Sequence, residues 1–234
     1  MKRGGTLRNA GILACTCAGL CLGLSAPVFA ADAPPEVSPE GLHLVKSTDT
    51  RLVYVRPGAS LAPYKRYWIV DCFVEFEKDW QKDYNSSRVG LEGRVSDKDV
   101  ERIKRDLAAE FKKVFTEELT GKGGYELVNA AAPDVLVLRP ALINVEVNAP
   151  DLMSAGVGAT VVRSAGQMTL YLELWDAATN TLLARVLDAR ADRDSLAQVS
   201  NSVTNKAAAD RILRTWARQL RENLDAVKTV TPGQ

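Results

Sequence analysis

His43 is the only histidine in this chain of 234 residues. It lies in a Pro-rich stretch, so a Ser-His-Asp triad, a Cys-His pair or a His-based zinc site would have at most this one side chain to build on. Carboxylates are plentiful, but acid-base hydrolysis needs two of them converging at about 5–9.5 Å, and sequence spacing alone does not bring any two together. Asp71 stands inside an apolar run (Tyr67 to Phe76). It reads either as a buried acid with a raised pKa or as a solvated or Arg-paired group. Asp71 and Asp151 are thus the candidates for a carboxylate-based hydrolase, the alternative to a non-enzymatic protein. Gly121-Lys122-Gly123-Gly124 has the residue types of a phosphate cradle in the wrong order. A P-loop follows a strand and opens a helix, whereas this stretch follows a helical pattern and reads as cap plus turn. No catalytic residue, metal-ligand set or cofactor motif is assigned.

Two segments suit recognition better than catalysis. Trp80 and Tyr84 are four residues apart among charges, so one helical turn puts both rings on one side. The alternative is that they fold back as a lid on the sheet. Residues 148–166 form a long Gly/Ala/Ser-rich connection, and connections of that length are functional, disordered or an extended hairpin. The candidate binding residues are therefore Trp80, Tyr84, Asn148, Asp151, Met153, Ser154 and Gly156.

The N-terminus has the three-part pattern of a secretory signal. Lys2, Arg3 and Arg8 precede an uncharged run from Gly11 to Leu24, and Val28-Phe29-Ala30 offers a cut after Ala30. Cys15 and Cys21 are the candidate lipid-attachment sites of an alternative reading, an outer-membrane lipoprotein. Leu13 is large for a lipobox, however, and the apolar run continues beyond Cys15. Removing residues 1–30 takes away three cations and no acid, so the formal charge falls from +1 to −2. That balance argues against nucleic acid as a partner. Cys72 would be the only remaining cysteine, so the fold must rest on a core rather than on an internal disulfide. An exposed Cys72 could instead link two copies in a homo-oligomer.

The elements that must position these residues follow from periodicity. Residues 31–66 hold several prolines and read as an extended arm, with Leu52–Val55 as a short edge strand. The domain is expected from 67 to 226, with a flexible tail at 227–234. Tyr67–Phe76 is β-rich, and 77–95 reads as a loop. Ser96 opens a helix with Asp99 as capping-box partner. Val100, Ile103, Leu107, Phe111 and Val114 line one face of that helix, and Gly121 ends it. Tyr125–Val128 and Asp134–Val147 are strands, the second interrupted by Pro140, which implies an edge position or a bulge. Gln167–Asp176 alternates, Ala177–Asn180 is a hairpin turn, and Thr181–Ala191 pairs back. Ala209, Ile212, Leu213, Trp216, Ala217, Leu220 and Leu224 make a second amphipathic helix, with Arg211, Arg214, Arg218 and Arg221 outside. These predict an α+β two-layer sandwich, with a mainly antiparallel sheet of about 4–5 strands and both helices on one face.

Three stretches, RVSDKDVERIKRDLAAEFKKVFTEEL, NAPDLMSAG and SAGQMTLYLELWDAATNTLLARVLDARAD, resemble the bacterial envelope family called domain of unknown function 3313, over about Pro34 to Leu224. Many members of that family look like lipoproteins; this chain departs from them in lacking a good lipobox. The layout is also similar to the small α+β domains of TolB-type and curli-secretion-type envelope proteins. The signal pattern implies an exported, periplasmic protein, and the likeness implies one that binds envelope proteins at the outer membrane. It implies no activity and no catalytic residue.

Overall fold

The computed structural model describes residues 33–86, 93–121, 124–148, 160–162, 166–191, 198–200 and 202–229. A compact unit begins at Pro34. In chain order its elements are β1 (His43–Ser47), β2 (Arg51–Val55), β3 (Arg66–Ile69), β4 (Phe73–Phe76), α1 (Trp80–Ser86), α2 (Asp97–Thr120), β5 (Glu126–Leu127), β6 (Val135–Val147), β7 (Thr160–Val162), β8 (Gly166–Asp176), β9 (Thr181–Ala191), β10 (Gln198–Ser200) and α3 (Ser202–Thr229).

Both amphipathic helices form as their stripes require. The Ser96 hydroxyl accepts from the Asp99 N–H, and the Asp99 carboxylate accepts from the Ser96 N–H at 3.1 Å, so the capping box is reciprocal. Phe111, Val114, Phe115 and Leu119 of α2 join Ile212, Leu213, Trp216, Ala217 and Leu224 of α3 in one buried cluster. Leu136, Leu138 and Leu142 of β6 and Met168, Leu170, Leu172 and Leu174 of β8 complete it. The two helices therefore cover one face of the sheet. Gly121 ends α2 in an extended conformation, with φ −64°. Arg221 supplies the missing cap, its Nη1 donating to the carbonyls of Glu118 and Gly121 at 2.6 Å each. Expected on the outer side of its helix, Arg221 is instead half-buried, because open carbonyls at a helix end attract a cation. Residues 227–229, expected in a flexible tail, are helical, since α3 runs to Thr229.

The sheet is larger and more mixed than expected. It has eight strands in the order β1-β2-β9-β8-β6-β3-β5, with β4 also beside β6. The β6/β8, β8/β9, β9/β2 and β2/β1 pairs are antiparallel; β3/β6, β4/β6 and β3/β5 are parallel. Short turns give antiparallel neighbours, while the connection through α2 is long enough to return the chain in parallel. The expected arm is part of the fold: β1 and β2 extend the sheet, and Leu42 is fully buried against Tyr54 and Leu182. The boundary expected at Tyr67 thus moves back to Pro34.

The single strand expected over Tyr67–Phe76 is two. Between the pairs Ile69↔Leu138 and Phe73↔Ala141, the β3–β4 side uses one residue more than β6. The break lies opposite Pro140, which has no N–H to donate, while β6 stays in register with β8 through Pro140↔Leu172. Pro140 is therefore in a central strand, and its neighbour carries the bulge. A second bulge follows at Asn144, whose φ is +50°.

Candidate functional site

The stretch expected as a loop at 77–95 contains α1, and this helix is fixed in place. The Trp80 ring stacks on Phe76 with centroids 4.3 Å apart, and Tyr84 tilts against Trp80 at 5.7 Å. Gln81 donates to Asp97 at 2.9 Å, and the Asn85 amide exchanges two hydrogen bonds with the Val95 backbone. Trp80 is 9% exposed and packs with Val95, so it is an internal anchor rather than an exposed recognition ring. Tyr84 is half-buried beside it. The lid alternative is the one the structure adopts, because the Phe76 ring at the end of β4 gives Trp80 an apolar surface to cover.

Asn148 is exposed just beyond β6. Asp151, Met153, Ser154 and Gly156 lie outside the described residues, as do Cys15, Cys21 and the expected cut after Ala30. Further along the same connection, β7 pairs antiparallel with β10. Asp71 is 96% exposed and sits 3.2 Å from Lys112, so it is a solvated ion pair rather than a buried acid. Burial pushes the Cys72 thiol up to about 12, which leaves little thiolate for linking copies near neutral pH.

On the sheet face away from the helices, the N-terminal segment is held by an ion network. Arg185 donates to both oxygens of Glu40, at 2.9 and 3.1 Å, and to Glu173 at 2.8 Å. Glu173 also accepts from Tyr171 at 2.5 Å and from the Trp175 indole at 3.0 Å. The Arg185 hydrogen bonds lower the Glu40 pKa to about 2. Burial, together with donation to Glu173, pushes the Tyr171 hydroxyl up to about 12. These charges are satisfied by one another and staple the segment down.

The next row along the same face has a different character. Strand register aligns Leu52, Leu187, Tyr171, Ala141 and Phe73 side by side across β2, β9, β8, β6 and β4. Directly paired residues share a face, so these five side chains form one stripe. None is buried, and Phe73 at the β4 end is 58% exposed. Sequence reading found the β8 alternation but missed Phe73. The available signal was that Phe73 shares its strand parity with the charged Glu75, while Val74 faces the core.

No curated protein matches this chain. Among solved structures it is similar to the PelC dodecamer from Paraburkholderia phytofirmans, with 13% identity, coverage of 73% of this chain and 97% of that one, and a TM-score of 0.36. It is also similar to a Xanthomonas campestris protein described by the family model DUF330, with 12% identity, coverage of 75% and 91%, and a TM-score of 0.40. Residues 38–220 match the model described as Protein of unknown function (DUF3313), and the chain belongs to that family.

Proposed function

We propose that this is an exported, periplasmic cell-envelope protein that acts as a non-enzymatic binding or assembly module. Its partner is another envelope protein, docked on the stripe from Leu52 to Phe73. The observation that carries the reading is that stripe: a half-buried apolar row crossing five strands that ends at the exposed ring of Phe73. Monomeric proteins seldom leave a contiguous apolar patch without use. An exposed aromatic at the end of such a row suits an anchor for a partner. The Asp71–Lys112 pair, together with Lys104 at 3.9 Å from Glu75, supplies a charged rim near Phe73. Among the described residues no helix is long and apolar enough to cross a membrane.

The test is a photo-crosslinking residue in place of Phe73, in cells that export the protein. A discrete adduct with one envelope protein, lost when Leu187→Glu is added, is the expected result. An adduct from position 148 but none from 73 would move the contact to the 148–166 connection. No adduct from either position would remove the reading. The intact mass of the exported protein checks the compartment. A mass starting at Ala31 fits release after the signal; one starting at Cys15 or Cys21 with acyl chains makes it a lipoprotein.

A further inference from the structure

At the C-terminal end of α2 a cleft of about 430 Å³ opens between the approach to β3, the turn before β5 and the last turns of α3. Lys65, Arg221 and Lys228 line it against one carboxylate, Asp225, with the Tyr125 ring as a wall. Asp225 is already engaged. The Tyr125 hydroxyl donates to it, and Arg221 Nε stands 3.5 Å from its other oxygen. Arg221 is engaged as well, through the two α2 carbonyls that it caps. The two ammonium groups remain. Lys228 Nζ lies 3.7 Å from the Tyr125 ring centroid. Its pKa is lowered by burial and, against the opposing pull of Asp225, by the charge of Lys65. Asp134, whose backbone carbonyl accepts from the Lys65 N–H, has its carboxylate held by Arg66. Neither Lys65 nor Lys228 forms an ion pair among the described residues. Two like charges facing one cleft repel each other, and an anion placed between them turns that repulsion into attraction.

We propose that this cleft binds a phosphate-bearing ligand through Lys65 and Lys228. The charge selects the chemistry. Two ammonium groups facing one cleft supply two positive charges, which a phosphate dianion neutralises and a single carboxylate does not. Ammonium groups bind phosphate as point charges. The cleft has room for an organic body beyond the phosphate, against the Tyr125 side. The site shares no residue with the apolar stripe, so the two proposals stand or fall separately.

The experiment is a titration of the purified protein with inorganic phosphate, followed by amide shifts of Gly124 and Tyr125. A bare ion should bind with a Kd on the order of 1 mM. The Lys65→Gln, Lys228→Gln double variant should lose at least tenfold in affinity, while Lys46→Gln on β1 retains it. Both cleft lysines are exposed and neither forms an ion pair among the described residues, so the double variant should keep a cooperative melt within a few degrees of the parent, which separates lost binding from lost folding. No shift up to about 10 mM phosphate, or equal affinity in parent and double variant, overturns the proposal. Vesicles of phosphatidic acid in phosphatidylcholine identify the source. Cosedimentation that the double variant loses makes the ligand a lipid headgroup. Phosphate binding without cosedimentation makes it a soluble phosphate compound, and either result upholds the cleft.

Discussion

Glu40 belongs to the segment before β1, yet its carboxylate is held by Arg185 on β9. Its pKa in the folded protein is about 2, against an ordinary 4.5. A carboxylate whose folded pKa is depressed stabilises the fold above its unfolded pKa and loses that effect as pH falls toward the folded value. Glu40→Gln should therefore melt below the parent at pH 7. The gap should close between pH 4.5 and pH 2, read as the difference between two melting curves at each pH. A constant gap would mean that Glu40 acts through packing. The Arg185–Glu173 bond was within reach of sequence reasoning, since both residues lie on strands correctly paired. The Arg185–Glu40 bond was not, because 145 residues separate the partners and no local pattern records such a contact. Asp71 shows the same limit from the other side. The sequence left it either a buried acid or a solvated, paired group, and the break opposite Pro140 turned it out to solvent beside Lys112.

At the scale of elements, α2 and α3 were legible because a helix carries its evidence within itself. Stripe, cap and stop all fall within a few residues of one another. The box at Ser96 tests this directly. Ser96→Ala removes the side chain that accepts from the Asp99 N–H and should cost about 1 kcal/mol, measured by urea denaturation. Hydrogen exchange should rise mainly in the first turn of α2. Gly121 ends α2 as read, in an extended conformation. The tighter approach in the turn is at Gly124, where a Cβ would lie 2.0 Å from the Leu119 carbonyl oxygen. The cap itself comes from Arg221 on α3, 100 residues beyond Gly121.

At the scale of the whole molecule, the Pro-rich segment decides where the fold begins. Proline frequency suggested a linker, yet the residues between the prolines form β1 and β2 and place Leu42, Tyr54 and Tyr64 in buried positions. A chain starting at Tyr67 would leave the β9 edge unpaired and expose Leu182. An unpaired hydrophobic strand edge invites association. That truncation should elute as soluble aggregate in size-exclusion chromatography and lose its cooperative melt, whereas a chain starting at Ala31 should keep both a single elution peak and the transition. A well-folded monomer from Tyr67 onward would show that β1 and β2 are an addition rather than a part of the core.

By itself the sequence determined the α+β class, both amphipathic helices, the capping box, the β8–β9 hairpin and the family. Each of these rests on short-range periodicity or on a run of residues that can be matched along the chain. Tertiary structure alone decided the mixed order of the sheet, the burial of Trp80, the stripe from Leu52 to Phe73 and the meeting of Lys65 with Lys228. The physical reason is common to all four. Strand partners and surface neighbours are set by which distant segments exclude water together, and that choice is made by the folded chain as a whole.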